Sequence, residues 1–243
     1  MQTLVEGVHH FRQNVFPSKL RLFKRLAKGQ QPIALFITCS DSRVNPNLIT
    51  HTEPGELFIL RNAGNIVPPY GAANGGEEAT IEFAVAGLGV EDVIVCGHSH
   101  CGAIRGLLQP DAIKGLPAVA AWLSHAEATR RIVARKYERC SLAERLARAT
   151  EQNVLVQLEH LRTHPSIAAA LACGRLRLHG WVYKIETGEV SAYDPDQQAF
   201  HPVTTVIPAP PPSPPSSPPS SPPSSPTRIP AASRAKAKLS RAV

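Results

Sequence analysis

The chain has 243 residues, 43% of them hydrophobic, enough for one large domain or two small ones with a sizeable core. Its formal charge of +7 includes Arg228, Arg234, Lys236, Lys238 and Arg241 in an acid-free end, so the remainder carries only +2. With 5% aromatics besides, the composition argues against a nucleic-acid surface. Five scattered cysteines do not make a disulfide framework, and no apolar run approaches the roughly 18 residues of a membrane span. A cytoplasmic protein without a membrane span is expected.

Residues 3–28 place Val5, Val8, Phe11 and Val15, then Leu20, Phe23 and Leu26, at helical spacing, which predicts two amphipathic helices separated at Pro17 and stopped by Gly29. Short apolar runs at 33–38, 57–60 and 93–96 suit strands buried on both faces. A helix over 77–88, entered through Gly75 and Gly76, separates the last two. Residues 116–136 and 142–161 read as two long helices, and 177–186 with 189–193 as closing strands about a Thr187–Gly188 turn. The alternation predicts an α/β fold, a central and mainly parallel sheet flanked by helices. Three copies of Pro-Pro-Ser-Ser occupy 214–225, so the domain is expected to span 1–206, with a linker and basic tail at 207–243.

Two clusters follow predicted strands: Cys39-Ser40-Asp41-Ser42-Arg43 and His98-Ser99-His100-Cys101-Gly102. Loops at the carboxyl ends of parallel strands converge in space, and ligands bind there. Two thiolates and an imidazole form a catalytic zinc set when the fourth position is free, and a structural one when a fourth protein ligand closes it. Asp41 can close the site or pair with Arg43, and spacing leaves both arrangements open. A nucleophilic Cys39 activated by Arg43 or His98 is a third reading, but it gives Cys101 and Asp41 no role. Cys96, Cys140 and Cys173 read as packing residues. The histidines at 9, 10, 51, 125, 160, 164, 179 and 201 read as surface or satisfied side chains. His100 should point away from His98 if the segment is extended.

CSDSR at 39–43, GHSHCGA at 97–103 and PGELFILRNAGNIVPPYGAANGG at 54–76 closely resemble the β-class carbonic anhydrases, a likeness that covers roughly residues 1–203. EGVHHFR, GAANGGEEA and HAEATRR further resemble the cyanobacterial, carboxysomal branch. The resemblance implies one zinc per subunit on Cys39, His98 and Cys101, an Asp41–Arg43 dyad that opens the site, and reversible hydration of carbon dioxide to bicarbonate. It implies that Gln30 hydrogen-bonds substrate across a dimer interface and that Phe58 lines the pocket. Ala63 and Phe83 stand where plant members carry valine and tyrosine, so any phenolic hydrogen bond is lost here. Gly102 N–H is expected to hold an oxyanion. At least a homodimer is implied, with N-terminal helices packed on a neighbouring subunit.

Two thiolates donate more charge than imidazoles, so zinc is expected to acidify water less than a tris-histidine site does, with activity rising above neutral pH. Carboxysomal relatives use C-terminal extensions, which makes the tail a candidate tether to a scaffold protein, against the plainer reading of a solvated spacer. A carbon disulfide or carbonyl sulfide hydrolase on the same fold, and a zinc-stabilised assembly protein, are the alternatives.

Overall fold

The computed structural model describes residues 1–73 and 75–203. The expected linker and tail at 207–243 lie outside them.

The N-terminal helix α1 (Gln2–His10) continues through a π-helical turn at Phe11–Val15 into the short α2 (Phe16–Ser18). The break expected at Pro17 comes instead at Lys19 (φ −108°, ψ 17°), before α3 (Leu20–Leu26). Pro17 lies within this continuous helical run, just after the π-helical turn. The rings of Phe11, Phe16 and Phe23 fold the segment on itself, with centroids 5.2 to 6.1 Å apart. Lys19 Nζ reaches Glu53 Oε1 at 2.6 Å.

Six strands form one sheet, β1 (Ala34–Cys39), β2 (Leu57–Asn62), β3 (Asp92–His98), β4 (Arg177–Tyr183), β5 (Val190–Asp194) and β6 (Ala199–Pro202), in the order β2-β1-β3-β4-β5-β6. The first four are parallel and the last two antiparallel. β1 is buried along its whole length, which is why its sequence is continuously apolar rather than alternating. β4 stops three residues short of the expected end, because Lys184 N turns to Glu189 O (2.8 Å) and closes a hairpin. β6 has no counterpart in the predicted strands.

The sequence reading did not anticipate α4 (Pro46–Thr50), capped by Asn45 Oδ1 on Leu48 N (3.2 Å), α6 (Gly102–Leu108) or α10 (Pro165–Ala172). The predicted helix at 77–88 is α5 (Gly76–Glu82) plus a π turn at Phe83–Gly87. The helix expected over 116–136 is α7 (Pro117–Leu123), a 3-10 turn at Ser124–Ala126, and α8 (Glu127–Lys136). α9 (Leu142–Arg162) begins with a Ser141/Glu144 capping box.

Val154, Leu158 and Leu161 of α9 pack with Leu35, Ile37, Val93 and Val95 on one sheet face; on the other, Phe36 meets Trp181 edge-on at 6.0 Å. Alanine methyls at Gly97 and Gly180 would meet Val154 at 3.0 and 2.9 Å, so these strand glycines let α9 approach closely. Among the described residues, no helix is long and apolar enough to cross a membrane.

Candidate metal centre

β1 and β3 are parallel neighbours, so their carboxyl ends deliver Cys39 and His98 side by side. Cys101 follows as the residue before α6. All three are buried, and their ligand atoms lie within 4.8 Å of one another. The Cys39 and Cys101 sulfurs are 3.9 Å apart. Two thiolates about 2.3 Å from one tetrahedral zinc would be separated by about 3.8 Å.

His98 Nδ1 bonds Ser99 O at 2.8 Å, which assigns the ring proton to Nδ1 and leaves a lone pair on Nε2. That Nε2 is buried and has no hydrogen-bond partner among the described residues. A buried polar atom facing two thiols, with no partner, fits a metal ligand. The Cys101 thiol, donating to the Cys39 sulfur, draws the Cys39 thiol well below its ordinary value against the opposing effect of burial, with a smaller contribution from Gly64 N–H. The Cys101 thiol is pushed up in turn by the Cys39 sulfur and by burial.

Asp41 is turned toward Arg43. Arg43 Nε donates to Oδ1 at 2.9 Å, Nη2 to Oδ2 at 2.7 Å, and the backbone N–H to Oδ1 at 3.0 Å. The guanidinium holds the Asp41 carboxyl far below the usual carboxylate range. Asp41 Oδ2 nonetheless lies 3.9 Å from His98 Nε2. Arg43 Nη2 also donates to His100 O (3.2 Å), joining the two motif loops.

His100 is exposed, but the extended segment expected to turn it away from His98 is not there. Its φ of +56° makes a left-handed turn rather than an extended segment, and its ring lies 3.6 Å from Glu186. Ala63 is exposed beside the site, with its carbonyl accepting from Trp122 Nε1 at 2.8 Å. Gly102 is exposed at the first position of α6. Phe58, half-buried on β2, packs against Phe83 at 5.9 Å, and Phe83 is itself exposed. Gln30 is exposed in the loop before β1 and makes no hydrogen bond to this cluster among the described residues. Cys96 is buried as expected, while Cys140 is half-buried and Cys173 exposed, so packing does not account for Cys173.

Sequence reasoning missed two groups. Arg61 donates to Cys39 O (3.1 Å), Asp41 O (2.8 Å) and Val44 O (2.9 Å), fixing the backbone of the first motif. Gly64 N–H points at Cys39 Sγ from 3.4 Å. Gly64 has φ +81°, and an added methyl would stand 3.0 Å from Ala103 Cβ; this local demand was the available signal.

A family model described as carbonic anhydrase matches residues 34–190. A carbonic anhydrase from Synechocystis sp. is 53% identical over 80% of this chain and 71% of its own length. One from Pseudomonas aeruginosa is 52% identical over 82% of this chain and 90% of its own. Among solved structures, the β-carbonic anhydrase CcaA superposes with a TM-score of 0.81 at 52% identity, covering 82% of this chain and 98% of that one. A structure from work on two tetrameric β-carbonic anhydrases of Sordaria macrospora gives 0.66 at 32% identity, covering 79% and 92%. Parallel sheet, converging donors and relatives coincide: the chain belongs to the carbonic anhydrase family, in its β class.

Proposed function

We propose that this carbonic anhydrase hydrates carbon dioxide reversibly to bicarbonate and a proton with one zinc ion per subunit, held by Cys39, His98 and Cys101. The reading rests above all on one observation: the carboxylate that could close the tetrahedron has both oxygens committed to Arg43. Zinc, when bound, supplies a Lewis acid and an acidified water at the open position. Around it, His98 keeps its proton on Nδ1, directed at Ser99 O, so that Nε2 remains a donor to the metal. Asp41 stays ionised under Arg43 and is assigned as the acceptor that orients a hydroxyl approaching its Oδ2. Gly102 N–H, an unpaired amide of the first turn of α6, is assigned to the substrate oxyanion.

Phe58, Phe83 and Ala63 are assigned to the apolar pocket. We assign Gln30 to a neighbouring subunit's site, which makes the protein at least a homodimer. Two features support assembly. No residue of α1 is buried, and Leu4, Val5, Val8 and Phe11 are 67, 49, 65 and 43% exposed. The Sordaria relatives are described as tetramers. A role inside carboxysomes, supplying carbon dioxide for fixation with the tail bound to a scaffold protein, is proposed from the cyanobacterial resemblance.

Stopped-flow hydration with a pH indicator tests the activity. Turnover that climbs from neutral pH to about pH 9 is expected, and a zinc-loaded protein inert across that range would overturn the reading. A purely structural zinc site is disfavoured because it would leave the Arg43 pairing without purpose. No pocket residue singles out carbon disulfide or carbonyl sulfide.

A further inference from the structure

A chain of buried polar side chains runs from α8 through α9 to the Gly64 turn. Thr129, Asn153 and Gln157 are 0, 1 and 0% exposed. Asn153 Nδ2 donates to Gly64 O at 3.0 Å. Its Oδ1 accepts from Gln157 Nε2 at 3.0 Å and from Thr129 Oγ1 at 3.4 Å. Gln157 Oε1 in turn accepts from Val67 N at 2.8 Å. Both amides are thereby held in a single orientation, and they grip the 64–67 loop at both ends. Gly64 N–H is the group this loop presents to Cys39 Sγ.

Packing alone does not require such an arrangement. Apolar residues would fill the space under the loop but would orphan Gly64 O and Val67 N–H, so the two amides both satisfy that buried backbone and fix where it lies. The network's specific product is the position of one residue, Gly64, whose carbonyl is held by Asn153 and whose N–H meets a ligand sulfur.

We infer that Asn153 and Gln157 are positioning residues for the metal centre, setting through Gly64 the hydrogen bond that orients Cys39 and draws charge from its sulfur. This rests on the reading of Cys39, His98 and Cys101 as a metal site. An N–H pointed at a ligand thiolate lowers its donation to the metal and fixes its direction, and supporting groups of this kind change metal affinity by about 10- to 100-fold.

The test replaces zinc with cobalt(II) in the full-length protein, because sulfur-to-cobalt charge transfer reports on the thiolates directly. Asn153→Leu keeps about the same volume but removes the donor to Gly64 O, and unlike a buried aspartic acid it cannot regain one by taking up a proton. It should move the charge-transfer band to longer wavelength and lower cobalt affinity, measured by chelator competition, by about tenfold or more. Ile167→Ala, a buried cavity variant on α10, controls for lost stability and should leave band and affinity as in the unmodified protein. If Asn153→Leu does not fold, Thr129→Val removes only the outermost hydroxyl and should shift both readouts in the same direction by less. A folded Asn153→Leu, or in its place Thr129→Val, with unmodified band and affinity overturns the inference while leaving the metal site intact. Failure of the unmodified chain to take up cobalt overturns the metal reading itself.

Discussion

Arg43 is about half exposed, yet both nitrogens on one edge of its guanidinium are spent on Asp41. Arg43→Gln should free Asp41 to turn onto the metal. The expected result is a fall in turnover of about 10- to 100-fold, with an extra oxygen neighbour in X-ray absorption of the zinc. The same variant has a signature in acid. Asp41 has its folded-state pKa depressed, so its stabilising contribution is fully present above the unfolded value of about 3.9 and lost as pH falls through the lower folded value. Urea midpoints of Arg43→Gln should therefore lie below those of the unmodified protein near neutral pH and converge with them in strong acid. Cys39, His98 and Cys101 could be read from the sequence because two short motifs end two parallel strands. Arg61 could not, since its partners are three backbone carbonyls that carry no residue identity.

Among the elements, β1 and β3 were legible because burial on both faces leaves nearly unbroken apolar runs, whereas β2 and β4 are only partly buried and β4 was read from the Thr187–Gly188 turn that follows it. The four-residue β6 was not legible: although it closes a local hairpin with β5, it reads Ala-Phe-His-Pro, too short to show alternation and ending in a proline. The break between α7 and α8 carries no proline or glycine. It is a tertiary effect, in which Leu123 and Ala126 are both buried while Trp122 reaches Ala63 O. α9 approaches the sheet closely over Gly97 and Gly180. Gly180→Ala would set its methyl 2.9 Å from Val154 Cγ1 and 3.2 Å from Leu158 Cδ1. Overpacking of this kind should cost about 1–3 kcal/mol in urea unfolding. A stability equal to the unmodified protein would mean that α9 can lift freely from the sheet.

For the whole molecule, the apolar side of α1 is the test of assembly. Leu4→Asp with Val8→Asp should reduce the mass measured by light scattering to that of a single chain, and with it the activity if Gln30 acts across subunits. Persistence of the oligomer would place its interface elsewhere. Removing 207–243 should leave hydration kinetics unchanged and disperse the protein in the cell if the tail is a tether. Unchanged localisation would assign it to spacing alone.

The unpartnered Nε2 of His98 bears on folding as well as on chemistry. The unfolded chain holds its ligands 59 and 62 residues apart in sequence, whereas the folded chain offers them already gathered. Free metal then acts as a mass-action reagent for the native state. At a thousand times the dissociation constant it adds about 4 kcal/mol, or about 8–16 °C in melting temperature for a chain of this size. Chelation should reveal that difference in a thermal scan, and its absence would mean that folding and metal supply are uncoupled. Where they are coupled, the share of chains that survive heat or proteolysis tracks the cell's free zinc, so the ion sets how much enzyme persists as well as how fast it turns over.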